Sequence, residues 1–110
     1  MVRFAFKDDV SAADRQRVAD GMRRIGAEVP AVQSCAVGRD VGADFDMSAQ
    51  FVLKDVAGFR ELLAAPALHE GEQFARPLIE REVGFDLVDD ADPAVADELA
   101  AIYAELFGSV

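Results

Sequence analysis

The sequence predicts an α+β domain in which two helical segments cover one face of a four-stranded antiparallel sheet. Apolar residues alternate with polar ones in short stretches near residues 2–7, 32–40, 44–55 and 81–88, a pattern typical of half-buried strands. After the first of these stretches, and again before the last, apolar residues recur at helical spacing. The predicted order is therefore β-α-β-β-α-β, and 110 residues suffice for one such domain.

The first strand and the first helix follow from residues 2–30. In the strand VRFAFK one face is apolar and the other is mixed, with Val2, Phe4 and Phe6 opposite Arg3, Ala5 and Lys7. Ser11 is a typical helix N-cap, and Asp14 places an acid in the first turn. An apolar stripe follows at helical spacing, formed by Val18, Met22, Ile25 and Val29. Gly26 and Pro30 predict that the helix ends near Ala27.

The second and third strands are predicted to form an antiparallel hairpin around a turn that contains Gly38 and Gly42. In the second strand, VQSCAVGRD, we expect either Gln33, Cys35 and Val37 or their neighbours on the sheet face that the helices leave uncovered. The third strand, DFDMSAQFVLKD, alternates most clearly. Its apolar face is formed by Phe45, Met47, Ala49, Phe51 and Leu53, and its other face by Asp46, Ser48, Gln50 and Val52.

The second helical segment is predicted in two pieces. Asp55 can cap a helix whose apolar stripe contains Val56, Phe59, Leu62 and Leu63. Pro66 interrupts it, and a further piece is expected from about Ala67 to Arg81, kinked or broken at Pro77. REVGFDLV then supplies the fourth strand. This order is the ferredoxin-like plan.

The tail is predicted to be a separate acidic, amphipathic helix within residues 89–110. Asp92 followed by Pro93 is a typical helix start. One apolar stripe follows at helical spacing, formed by Val95, Leu99, Ile102, Tyr103, Leu106 and Phe107, and Gly108 is expected to end the helix. A stripe of this size favours burial, either on its own domain or across a dimer. Asp86, Asp89, Asp90 and Asp92 lack the spacing of a calcium loop and predict a solvated turn.

Charge and composition limit which partners, cofactors and cellular locations are expected. The formal net charge of −10 repels nucleic acid and anionic membranes, so neither is expected as a partner. The single cysteine, Cys35, cannot form an internal disulfide, which favours the cytoplasm. The N-terminus has acids by residue eight and no long apolar core, unlike a signal peptide. No zinc spacing or phosphate-binding glycine loop is present, and neither a metal nor a cofactor is expected.

The uncovered sheet face predicts either exposure to water or the stacking of two copies into a closed barrel. Stacking would enclose a small, partly polar space. For this space we expect a ligand-binding role for the polar side chains of the face, namely Arg3, Asp46, Ser48 and Gln50.

Several motifs together resemble the stress-responsive alpha/beta barrel (Dabb) family over about Val2–Val88. They are the start FKDDVS, the block PAVQSCAVGRDV, the third strand DFDMSAQFVLKD and the helix that ends in APALHE. The resemblance implies residues 1–88 as a ferredoxin-like domain, a homodimeric α/β barrel, and a wider superfamily that includes monooxygenases and haem-degrading enzymes.

The resemblance to the polyketide cyclase in this family also implies acid–base residues that this chain mostly lacks. That cyclase uses a histidine on the first strand, a His-Pro-x-His stretch and cavity tyrosines. Here the first strand has no histidine and is short, which raises the expectation that residues precede Met1. Ala65 stands at the first histidine of the stretch, and Tyr103 lies outside the matching region. His69 is the remaining catalytic candidate.

Three functions stay open at this point. The chain is expected to be a homodimer that binds a small organic molecule between the sheets, or one that acts in stress response through its assembly. The alternative is a cofactorless cyclase, isomerase or monooxygenase that acts on an aromatic or polyketide-like substrate through His69. In that case an oriented partner is required, and Asp46 is the candidate only if the fold brings the two together.

Overall fold

The structure is a computed structural model and describes residues 1–107. Within them lie β1 (Val2–Phe6), α1 (Ala12–Glu28), β2 (Val32–Arg39), β3 (Met47–Leu53), α2 (Val56–Ala64), α3 (Pro66–Ala75), β4 (Ile79–Gly84) and α4 (Pro93–Phe107). The strands form one antiparallel sheet in the order β2-β3-β1-β4. This arrangement confirms the predicted ferredoxin-like fold and its additional C-terminal helix. The expected helix end at Gly108 lies outside the described residues.

The core lies between the sheet and the helices α1, α2 and α3. One cluster of buried side chains contains Phe4, Phe6, Val18 and Ala75, and a second contains Ile25, Val29, Leu62 and Ala67. Phe4 is fully buried, and its ring packs edge-on against Phe6 with the centroids 5.3 Å apart. The alternation of β1 places these rings toward the helices. Burial on this face is what holds the helical layer on the sheet.

Both predicted N-caps are confirmed. The Ser11 hydroxyl accepts a hydrogen bond from the Asp14 N–H at 3.1 Å, and Asp55 Oδ1 accepts one from the Gly58 N–H at 2.8 Å. Each cap satisfies an N–H that the first helical turn leaves without a partner. The caps therefore fix where α1 and α2 begin.

The predicted helix to Arg81 is wrong. The helix α3 ends at Ala75, a single 3₁₀ turn covers Arg76–Leu78, and β4 begins at Ile79. Pro77 has no N–H to continue the helical hydrogen bonds, so the chain leaves the helix there. The strand β4 ends at Gly84, four residues earlier than predicted, although the Phe85 N–H still donates to the Met1 carbonyl at 2.9 Å.

Of the two sets of residues predicted for the uncovered face of β2, the structure has the neighbours, Ser34 and Ala36, rather than Gln33, Cys35 and Val37. Val32 pairs with Leu53, but Ser34 pairs with Val52, so one extra residue is inserted in β2 between these two pairs. Such a β-bulge reverses the alternation that follows it. As a result Cys35 faces α1, and its neighbours Ser34 and Ala36 lie on the uncovered face.

The uncovered face of the sheet, called the open face below, carries mostly short side chains. Cross-strand partners share a face, and the register places small, polar and β-branched residues there. They are Arg3, Ala5, Ser34, Ala36, Gly38, Ser48, Gln50, Val52, Arg81 and Val83. Val52 is 39% exposed and Val83 is 46% exposed in the protomer. The open face thus presents apolar groups to water in the absence of a partner.

The helix α4 packs on its own chain. Ile102 is 3% exposed, and the Tyr103 ring stacks on Phe59 of α2 with the centroids 6.0 Å apart. Of the two predicted destinations for the tail, this is its own domain. The apolar stripe is not fully covered, because Leu106 remains 51% exposed. Among residues 1–107, no helix has the length and apolar character needed to cross a membrane.

Candidate functional site

A polar cluster occupies one end of the open face. Arg3 makes a bidentate ion pair with Asp40, with Nε–Oδ2 and Nη2–Oδ1 distances of 2.8 and 2.9 Å. The Ser48 hydroxyl donates a further hydrogen bond to Asp40 Oδ2. The Phe45 ring lies against two guanidinium groups, 4.9 Å from Arg3 Cζ and 4.8 Å from Arg81 Cζ. These five residues, called the Arg3 cluster below, tie the loop after β2 to the middle of the sheet.

The Asp40 carboxylate is the centre of this cluster. Its side chain is 5% exposed, whereas that of Arg3 is 30% exposed. Hydrogen bonds from Arg3 and Ser48 lower the pKa of Asp40 from its ordinary value to about 2. The carboxylate is therefore ionised at neutral pH, and its acceptor positions are largely used within the protein.

We expect Asp40→Asn to lower the melting temperature by several degrees at pH 7, because asparagine cannot make the bidentate ion pair. The folded-state pKa lies below the ordinary value near 4, so the stabilisation is complete above about pH 4 and is lost as the pH falls toward 2. The difference between wild type and variant should therefore shrink over that range. Thermal melts from pH 2 to 7 measure it. The control is Asp9→Asn, at an exposed turn position. An equal, pH-independent loss of melting temperature in both variants would contradict the stabilising role of the Arg3–Asp40 ion pair.

The predicted ligand-binding residues separate into two places. Arg3, Ser48 and Gln50 all lie on the open face, and Arg3 and Ser48 meet at Asp40. Asp46 does not join them. It precedes β3, its carboxylate accepts a hydrogen bond from the Phe6 N–H at 2.8 Å, and its Oδ2 lies 3.7 Å from Arg15 Nη1. A ligand-binding role for these four residues stays a prediction.

The alternation assigned to residues 45 and 46 is wrong. The strand β3 begins only at Met47, and Phe45 lies on the open-face side, against Arg3 and Arg81. Sequence reasoning therefore missed Asp40, Phe45 and Arg81 as members of the cluster. A carboxylate directly after a strand end, in the segment GRD, was the available signal for Asp40.

A second candidate site lies on the other side of the sheet, between the sheet and the helices. It is a groove of about 830 Å³ and receives side chains from every layer of the fold. Its apolar walls include Val2 and Phe51 of the sheet, Ile25 of α1, Phe59 and Leu62 of α2, and Phe74 of α3. We call it the helix-side cavity. It is distinct from the space predicted between two stacked sheets.

Charged side chains surround this apolar interior. Six acids line the cavity and its rim, namely Asp20, Glu70, Glu72, Glu80, Glu82 and Asp86. The facing positive charges are those of Arg17, Arg24 and Arg76 and the N-terminal ammonium of Met1, because the guanidinium of Arg81, whose residue also borders the cavity, lies on the open face. Arg17 lies flat on Phe74, with its Cζ 4.0 Å from the ring centroid. The rim therefore carries an excess of negative charge, in keeping with the whole chain.

His69 lies outside the cavity. Its neighbours Ala67, Leu68 and Glu70 line the cavity, whereas His69 is exposed and does not line it, and the same holds for Gln73 one turn later in α3. Asp46 is paired with Phe6 and Arg15 instead. Within residues 1–107, the His69 side chain makes no hydrogen bond or ion pair, so the described geometry gives it no orienting partner. A catalytic role for His69 stays a prediction.

Solved structures that resemble this chain share its fold. A Dabb family protein with a ferredoxin-like fold from Mesorhizobium loti has a TM-score of 0.68 at 18% identity, over 82% of this chain and 93% of that one. A hydroxynitrile lyase from Passiflora edulis has a TM-score of 0.73 at 16% identity, over 83% and 91%. A dimeric ferredoxin-like protein of unknown function from Thermobifida fusca has a TM-score of 0.67 at 21% identity, over 74% and 80%.

At these identities the likeness extends to the fold alone. A comparison with curated proteins gave no significant match. The family model described as the stress responsive A/B barrel domain, Dabb, matches residues 1–89 and so includes every strand of the sheet. The chain therefore belongs to the Dabb family of stress-responsive A/B barrel domains.

Proposed function

We propose that this Dabb protein is a cytoplasmic homodimer that binds a small organic molecule in the helix-side cavity. The observation that carries the proposal is the size and lining of that cavity. A volume of about 830 Å³ lies within the range of roughly 300–1,000 Å³ typical of small-molecule sites. Its walls are mainly aromatic and branched apolar side chains, as such sites require.

The homodimer is proposed from the open face. Small residues and exposed valines make this face suited to flat packing against a second copy, and a symmetric pair is the commonest oligomer. The relative from Thermobifida fusca is a dimeric protein. Stacking of two open faces would leave both helix-side cavities on the outside of the dimer. Ligand binding and dimerisation would then use opposite faces of the same sheet.

The enzymatic alternative has less support from the geometry. The relative from Passiflora edulis is a hydroxynitrile lyase, so a similar fold serves catalysis in that protein. In the present chain His69 does not line the cavity, and general acid–base catalysis requires a group within hydrogen-bond reach of the substrate. For this reason we propose binding rather than a reaction through His69. A role in stress response would follow from the ligand and stays a proposal.

We expect the neutral fluorescent probe N-phenyl-1-naphthylamine to bind the wild-type protein saturably, with a Kd of about 100 µM or lower. Leu63 lines the cavity, so Leu63→Trp should fill part of it and weaken binding at least about tenfold. Probe fluorescence titrations measure both values. The chain has no tryptophan, so the introduced indole also reports whether the variant is folded.

The matched control is Leu87→Trp. Leu87 is 87% exposed and does not line the cavity, so this variant should bind the probe as the wild type does. Saturable binding that Leu63→Trp leaves unchanged would place the probe elsewhere. No binding to the wild type would remove the proposed ligand site.

A further inference from the structure

A polar pair interrupts the apolar wall of the helix-side cavity at one end. Tyr103 of α4 donates a hydrogen bond from its hydroxyl to Oδ2 of Asp86, and both residues line the cavity. The Tyr103 ring is held by stacking on Phe59, which is also part of the wall. Because the family model ends at residue 89, Tyr103 belongs to this chain's own C-terminal addition.

The carboxylate of Asp86 keeps acceptor capacity beyond these contacts. An ionised carboxylate offers about four lone-pair positions. Tyr103 uses one at Oδ2, and the N-terminal ammonium of Met1 donates to Oδ1 at 3.3 Å and forms an ion pair with the carboxylate. The side chain is 26% exposed, so it is reachable from the cavity while the protein still shields part of it. An incoming hydrogen-bond donor can therefore reach it directly.

Tyr103 is kept in its neutral, donating form. Burial, and then the hydrogen bond to Asp86, raise the pKa of the Tyr103 hydroxyl well above its ordinary value. The tyrosine consequently holds its proton toward Asp86 at any physiological pH. With its ring fixed on Phe59, it sets the direction in which the carboxylate faces.

The surrounding charge determines which ligands this arrangement favours. Six acids line the cavity and its rim against three arginines and the N-terminal ammonium of Met1, and Asp86 is one of those acids. An anionic ligand would meet repulsion at the point where it must shed water. A hydroxyl or an amine group, in contrast, gains a hydrogen bond to a charged acceptor, which is stronger than a neutral one.

We propose that Asp86, positioned by Tyr103, selects the ligand of the helix-side cavity by accepting a hydrogen bond from a hydroxyl or amine on an otherwise apolar, uncharged or cationic molecule. This assignment rests on the proposed binding function. It names the substrate class of that site and gives α4 a role in it. Asp86 would contact the ligand, and Tyr103 would act through Asp86 as a positioning residue.

Three probes with one aromatic body test this inference: 2-naphthol carries a donor, 2-methoxynaphthalene lacks it, and 2-naphthoate carries a negative charge. Binding to the full chain is measured by fluorescence titration. We expect the wild type to bind 2-naphthol about tenfold more tightly than 2-methoxynaphthalene. We expect 2-naphthoate to bind at least tenfold more weakly than 2-naphthol.

The variants separate the two roles. Asp86→Ala should reduce the preference for 2-naphthol to about twofold or less and leave the affinity for 2-methoxynaphthalene within about twofold. Asp86→Asn, which keeps an acceptor oxygen, should retain part of the preference for 2-naphthol but lose the discrimination against 2-naphthoate. Tyr103→Phe should weaken the preference for 2-naphthol without changing the affinity for 2-methoxynaphthalene. Asp89→Ala, at an exposed acid of the same segment outside the cavity, is the charge-matched control.

The outcomes distinguish this inference from the proposed function. If none of the probes binds the wild type, the cavity is not a ligand site and both fail. If 2-naphthol and 2-methoxynaphthalene bind equally well, the cavity binds ligands but Asp86 does not select them. A preference for 2-naphthol that survives Asp86→Ala would overturn the inference in the same way.

Discussion

Replacing Gly26 with alanine is expected to lower the melting temperature by roughly 10 °C. A Cβ at this position in α1 would lie 2.5 Å from Cβ and 2.7 Å from Sγ of Cys35 in β2. Two carbon atoms in contact need about 3.5 Å or more. The Cys35 Cβ is attached to the backbone, so a change of rotamer cannot move it away. The helix must instead shift from the strand, and overpacking of this kind costs up to about 3 kcal/mol.

The matched control is Gly21→Ala in the same helix. No atom lies within 4 Å of a Cβ built on Gly21. Alanine is favoured over glycine in a helix interior by up to about 1 kcal/mol, so this variant should be slightly more stable than the wild type. Thermal and urea unfolding of both variants measure the contrast. The two substitutions are chemically identical and differ only in what the new methyl group meets.

A second substitution tests whether the contact with Cys35 causes the expected loss of stability in Gly26→Ala. In the background Cys35→Gly, both atoms that would clash with the new methyl group are absent. Gly26→Ala should then cost less than about 0.5 kcal/mol, although Cys35→Gly itself weakens the strand. An undiminished cost of Gly26→Ala in that background would mean that the close approach of α1 to β2 is not the reason. The cycle therefore isolates one contact of the fold.

The same contact explains why one part of the sheet could not be predicted. The order of strands and helices, both helix caps and the tail helix followed from local patterns, because Ser11, Asp55 and Pro93 act within a few residues of themselves. The faces of β2 did not follow. Most of its residues are small or polar, so the sequence alternation is compatible with either set of them facing the helices. The extra residue between Val32 and Ser34 selects the phase that brings Cys35 onto Gly26.

The candidate sites could be predicted only in part for a similar reason. Arg3 and Ser48 were placed on one face by alternation, and the register confirms this. Asp40 joins them from a loop, and no periodic pattern specifies where a loop returns. The aromatic Phe45 was expected in the core, yet it packs between Arg3 and Arg81, where its ring interacts with two cations. The helix-side cavity depends on how α2 and α3 are spaced above the sheet, which is a property of tertiary packing.

For the tail helix, burial could be predicted from the sequence but the surface that covers it could not. The apolar stripe of α4 predicted burial correctly for Ile102 but gave no partner. The partner proved to be α2, through Phe59, and the hydroxyl of Tyr103 reaches the segment that follows β4. Amphipathic spacing indicates that a helix face will be covered, but the covering surface is chosen by shape and by hydrogen-bond partners elsewhere in the fold.

The second substitution with a large expected effect tests the proposed dimer. We expect Val52→Glu to raise the dimer dissociation constant by at least about 100-fold, because Val52 lies on the open face and is 39% exposed in the protomer. In a two-fold interface each protomer contributes one copy of the substitution. Two new carboxylates must therefore lose their water in an interface that has no cation placed to pair with them. Charges placed this way cost several kcal/mol, and each 1.4 kcal/mol is a factor of ten. Sedimentation equilibrium over a range of concentrations measures the constant.

Val83→Glu on β4 is a second variant of the same face, since Val83 pairs with Arg3 and is 46% exposed. The control is Ala13→Glu, an exposed position in the first turn of α1 on the opposite side of the sheet, where a carboxylate suits the helix dipole. All three variants add the same charge, so a general electrostatic effect would move them together. A dimer that withstands both open-face variants, or a wild type that is monomeric at high concentration, would exclude the stacked-sheet assembly. Loss of the dimer in Val52→Glu and Val83→Glu alone would support it, and probe binding in the helix-side cavity should then persist in the monomer.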